Sequence, residues 1–81
     1  MNDPEVLAHI EKLVGEEDEL YAHAADGHGM EPEQRERLHQ LQVSLDQCWD
    51  LLRQRQARRE FGENPDDARV RPPDMVERYT G

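Results

Sequence analysis

Four arginines, Arg53, Arg55, Arg58 and Arg59, crowd the stretch DQCWDLLRQRQARRE just after Trp49. Guanidiniums beside an indole are the side chains that hold a phosphate chain and stack a base. The same residues have a plainer use at a helix end, where arginines complement the negative pole of the helix dipole and meet nearby acids. The charge of the whole chain separates these readings. With a formal net charge of −9, the long-range field repels phosphate, which favours the plainer one. A third reading places arginine and tryptophan at the centre of a protein interface, where both types carry much of the binding energy. Trp49, Arg53, Arg55, Arg58, Arg59 and Phe61 are therefore the candidate partner-binding residues. A nucleic-acid-associated factor using Arg53–Arg59 is the alternative.

Other reactive side chains are sparse. Of His9, His23, His28 and His39, no two stand three or four apart, so the spacing that brings two imidazoles to one metal on a helix is missing. No metal or cofactor is expected. Cys48, the only cysteine, can form no intrachain disulfide, and on an apolar helix face a thiol is normally a small buried hydrophobe. Ser44 is the only serine, and no glycine-rich phosphate loop is present. No catalytic residue is assigned, and the chain is expected not to be an enzyme. The acidic run Glu16-Glu17-Asp18-Glu19 is a solvated helix face, except that the register puts Glu17 in the seam, facing His39. Glu17 and His39 are expected to form a structural polar pair that fixes register.

Two helices position these residues. In Asn2-Asp3-Pro4-Glu5, Asp3 is expected to cap free backbone N–H groups, Pro4 to occupy the first turn and Glu5 to favour the positive end of the dipole. Val6, Ile10, Leu13, Leu20 and Ala24 follow at helical spacing, with Leu7, Val14 and Tyr21 widening the stripe and Gly15 opposite it. DGHGMEP (26–32) stops this helix with two glycines suited to positive φ, and Pro32 opens the next. There Leu38, Leu41, Leu45, Cys48 and Leu52 repeat the spacing, flanked by Trp49 and Leu51, until Arg55 and Arg59 take over the seam positions. The expected fold is all-α: an antiparallel, coiled-coil-like hairpin over 1–61, with helices at about 4–24 and 32–60. Its partners pair where their numbers sum to about 56, and the later helix overhangs beyond about Arg53. A proline-containing tail, 62–81, follows.

Hydrophobic residues make up 35% of the 81 and charged residues 36%, so two helices alone bury too little to offset chain entropy. The tail is expected to pack on the hairpin through Phe61, Val70, Met75, Val76 and Tyr79, with one or two helical turns over 73–79. A second hairpin in a four-helix dimer is expected to complete the core. The start MNDPEVLAH has neither a basic cluster nor an apolar run, so no signal peptide or membrane span is expected, and the location is read as cytoplasmic.

The segment LDQCWDLLRQRQARREFGENPDDARVRPPDMVERY resembles the C-terminal two-thirds of a family of small acidic proteins from high-GC Gram-positive bacteria, a domain of unknown function. Its most specific pieces are Asp46–Arg53 and Val70-Arg71-Pro72-Pro73, and the likeness extends over nearly the whole chain. The resemblance implies no activity, cofactor or catalytic residue, and it implies that the tail is part of the fold. Together these readings give a non-enzymatic helical protein-interaction or regulatory protein. Its partner surface is the Trp49-to-Phe61 end or the acidic face of the first helix.

Overall fold

The computed structural model describes residues 1–73, and within them the chain is two long helices packed antiparallel. The expected turns over 73–79, with Met75, Val76 and Tyr79, lie outside the described residues apart from Pro73. Helix α1 spans Asp3–His23 and α2 spans Pro32–Glu60. A wide turn of π character, Ala24–His28, joins them, with Gly27 at φ 88° and Gly29 at φ 67° as the reversal requires.

The cap of α1 is Asn2, not Asp3. Asn2 Oδ1 accepts the Glu5 N–H at 2.9 Å, and Glu5 Oε1 accepts the Asn2 N–H at 3.1 Å. Glu5 stands three residues after Asn2, the spacing at which this exchange closes, and Pro4 has no N–H to satisfy. Asp3 is thereby released to point elsewhere. At the start of α2, Gln34 Oε1 likewise accepts the Glu31 N–H at 2.8 Å, with Pro32 in the first position. The far end of α2 closes on Gly62, at φ 73°. The Glu63 N–H reaches the Arg58 carbonyl at 2.7 Å and the Gly62 N–H that of Arg59 at 3.2 Å.

Val6, Ile10 and Leu13 from α1 and Leu41 and Leu51 from α2 are the buried apolar side chains of the hairpin. Ala68 joins Val6, Ile10 and Leu51 in one cluster, with Leu45, Cys48 and Leu52 packed against it half-buried. The tail therefore closes this core through Ala68, whereas Phe61 is 81% exposed and Val70 also faces water. A small side chain lets an extended backbone come close to Leu51 and Val6. Phe61 caps α2 beyond the last turn and has no helix beside it.

After a single 3-10 turn, Pro65–Asp67, the chain runs back along α2 as a strap, irregular over residues 68–72 and helical at Pro73. Arg55 meets Pro65, Gln54 meets Arg69, Gln47 meets Arg71, and Pro73 shares a groove with His39, Gln40, Val43 and Ser44. The strap meets the overhang of α2 only at its base, around Gln54 and Arg55, and otherwise lies beside the part of α2 that pairs with α1.

Candidate interaction surface

Three of the four arginines are paired with the chain's own carboxylates, and one of them is buried. Arg55 is only 6% exposed. Its Nε donates to Asp3 Oδ1 at 2.5 Å, and its Nη1 donates to the Pro65 carbonyl at 3.2 Å and to Asp66 Oδ1 at 3.0 Å. Arg59 Nη2 takes the other Asp3 oxygen at 2.8 Å, and Arg58 Nη1 lies 3.6 Å from Glu63 Oε2. Hydrogen bonds from Arg59, and then Arg55, hold the Asp3 carboxyl below its ordinary range. The hydrogen bonds that Arg55 donates to Asp3 and Asp66 raise it above its ordinary value. Guanidiniums matched by carboxylates present little net positive field to a phosphate. Of the four, Arg53 is the one left exposed without an ion pair among the described residues.

A second polar cluster holds the strap. Asp50, 3% exposed, lies 3.1 Å from Arg71 Nε and accepts from Gln54 Nε2 at 2.9 Å. Gln54 Nε2 also donates to the Arg69 carbonyl at 2.7 Å, and Gln47 Nε2 donates to the Arg71 carbonyl at 3.0 Å. None of these residues is among the partner-binding candidates that the sequence points to. Their signal is the spacing of Gln47, Asp50 and Gln54, which puts two amides and a carboxylate on one face of α2. A segment before two prolines has carbonyls that no regular structure satisfies, and side-chain donors complete it.

The polar pair expected between Glu17 and His39 does not form. Glu17 is half-buried, His39 is exposed toward the strap, and the interhelical ion pair here joins Arg37 to Glu16. His39 follows the half-buried Leu38 by one residue, which turns it past the seam, whereas Arg37 and Glu16 flank the seam on one side. Cys48 is set apart from both, in a cleft of about 330 Å³ that His9, Ser44 and Gln47 also line. Burial pushes its thiol pKa up, which disfavours the thiolate.

Opposite the strap, the hairpin is apolar, and among the described residues nothing covers it. Leu7, Val14 and Tyr21 are exposed, each one residue past the buried or half-buried Val6, Leu13 and Leu20. Trp49, one residue past Cys48, is 48% exposed. A step of one residue turns about 100° around a helix. In an antiparallel pair of right-handed helices, that step leads from the seam to the same side of both, because the second helix both runs and faces the opposite way. Leu7 and Trp49 lie level where pairing numbers sum to about 56. Half-buried Leu38, Leu45 and Leu52 extend the surface along α2. The Glu16–Arg37 ion pair and the strap occupy the other side. Among the described residues no helix is long and apolar enough to cross a membrane.

A short, charged, strap-closed helical hairpin with an apolar back defines the class of protein. The chain belongs to the family described as "Protein of unknown function (DUF2630)", whose profile matches residues 2–81. It is similar to uncharacterized proteins of Mycobacterium tuberculosis and Mycobacterium bovis, 52% identical over 79 residues, covering 98% of this chain and 91% of each relative. No solved structure shows a significant match.

Proposed function

We propose that this chain is a helical protein-interaction module without a catalytic centre of its own, and that its working surface is the back of the hairpin. The observation that carries this reading is the exposure of Leu7, Val14, Tyr21 and Trp49 on one side of the helix pair. A contiguous apolar surface ringed by polar residues is the usual mark of a protein contact, and its water-exposed area is a standing cost until something covers it. Tryptophan and tyrosine are favoured anchors in such contacts. Of the residues first singled out, Trp49 remains available at this surface, Arg53 is exposed on the outer edge of α2 beside Asp50, Gln54 and Arg71, and Phe61 is exposed at the end of α2. Arg55, Arg58 and Arg59 are engaged in holding the chain to itself.

Photo-crosslinking tests the surface directly. A photoreactive residue at Trp49 or Val14 is expected to give discrete protein adducts in native extract, while one at Glu63, by the strap, gives few. Equal labelling at all three positions, or none at Trp49 and Val14, would overturn the assignment.

A further inference from the structure

Resting on that reading, we infer that the partner covering the back of the hairpin is a second copy of this chain, the two forming an antiparallel four-helix bundle whose two-fold axis runs along the helices.

The shape of one copy is that of half a bundle. Its radius of gyration is 15.1 Å, against about 12 Å for a compact domain of this length. Its smallest extent is 15 Å, so over much of its length it is a single layer of helices. The strap covers one side of that layer, and Pro73 lies on the same side, against His39, Val43 and Ser44. The other side has the area a stable dimer needs. The 21 residues of α1 give about 30 Å of length, and two helices give about 20 Å of width, or about 600 Å² in projection. Standard interfaces bury roughly 800 Å² of accessible surface per partner, which a corrugated face of this size supplies.

Charge fixes the arrangement. The outer edge of α1 beside Val14 carries Glu11 and Asp18, and the outer edge of α2 beside Trp49 carries Arg35 and Arg53. All four are exposed, and none is ion-paired among the described residues. A two-fold axis along the helices places α1 of one copy on α2 of the other, so on each edge Asp18 of one copy comes within about one helical turn of level with Arg35 of the other. It also keeps every neighbouring helix antiparallel, as helix dipoles favour. An axis across the helices would lay α1 on α1, acid edge against acid edge, in a chain that already carries a net charge of −9. The first arrangement also stacks Leu7 of one copy level with Trp49 of the other.

Sedimentation equilibrium of the full chain decides the matter. The wild type is expected at twice 9.5 kDa at micromolar concentration, with Trp49 emission shifting to the blue as the dimer forms. Val14→Asp changes an exposed position and is expected to sediment at 9.5 kDa with its helical circular dichroism retained. Asp18→Arg and Arg35→Asp should each raise the dissociation constant on the order of tenfold, and the double reversal should restore it. Failure of that rescue overturns the arrangement. A wild-type monomer overturns the dimer in either of two ways. Blue Trp49 emission would mean that the chain's own residues 74–81 cover the face, while Trp49 crosslinks to a different protein would leave the interaction surface intact with another occupant.

Discussion

Arg55 and Asp3 are 52 residues apart in sequence and 2.5 Å apart in space. The guanidinium lies where α2 outruns α1, and its fork joins three segments: Asp3 from the first turn of α1, the Pro65 carbonyl, and Asp66 from the 3-10 turn. A seam position that periodicity would fill with leucine is filled by a cation because a hydrocarbon could not hold the strap. Arg59 closes the set on the second Asp3 oxygen.

Arg55→Lys should therefore destabilise the protein although charge is conserved. A lysine ammonium cannot present a planar fork to three acceptors placed around it. A fall in Tm on the order of 10 °C is expected. Thermal melts by circular dichroism of Arg55→Lys, Asp3→Asn and the double variant check the coupling. The second substitution should cost clearly less in the presence of the first, and strict additivity would show that the residues do not act together.

The same contact sets a pH dependence. The Asp3 carboxyl is held below its ordinary 3.8 in the folded chain, so the unfolded chain takes up its proton first as pH falls. Its contribution is fully present above pH 3.8 and is lost as pH falls through the depressed folded value. Urea unfolding of wild type and Asp3→Asn at pH 6, 4 and 3 should show a gap that is widest at pH 6 and narrows below 3.8. A constant gap would mean that the Asp3 charge contributes nothing.

How much of this was legible in the sequence follows from how local each signal is. The two helices, their antiparallel packing and the glycine reversal rest on spacing within a few residues, as with Val6, Ile10 and Leu13, and the all-α hairpin is what the structure has. Asp3 is a residue type that caps, yet the capping exchange depends on the Asn2-to-Glu5 spacing. The acids that the arginines meet are legible as a set, since the antiparallel register brings Asp3 level with Arg53–Arg55, but periodicity does not single out Asp3 and Asp66 from the other carboxylates at that end, nor give both to Arg55. Leu7, Val14 and Tyr21 were readable as stripe but not as exposed. Periodicity gives the width of an apolar face and not how much of it a single neighbour covers.

The strap should be separable from the hairpin. Gln47 and Gln54 each donate to a strap carbonyl, and each bond is worth about 1 kcal/mol. Gln47→Ala with Gln54→Ala is expected to leave the helices formed while residues 68–71 open more often. Limited trypsin reads this at the Arg69–Val70 bond, since the bond after Arg71 is protected by Pro72. Cleavage should accelerate by roughly tenfold or more if opening precedes cutting. Unchanged cleavage, or equal acceleration within α2, would show that the amides do not hold the strap.

Two glycines should answer alanine in opposite ways. Gly15 is exposed within α1, with helical backbone and nothing within 4 Å of an added methyl. Gly15→Ala removes backbone freedom from the unfolded chain at no steric cost and should stabilise by about 0.5–1 kcal/mol. Gly62 also has open space around it, but its φ of 73° is the left-handed conformation that lets Gly62 and Glu63 return their N–H groups to Arg59 and Arg58. Gly62→Ala should cost about 1 kcal/mol through that conformation alone. Urea midpoints moving apart, up for the first and down for the second, would confirm that α1 runs unbroken through position 15 and that α2 stops at a glycine lock. A destabilising Gly15→Ala would place a neighbour against that side of α1, and a neutral Gly62→Ala would mean that the chain leaves α2 by another route.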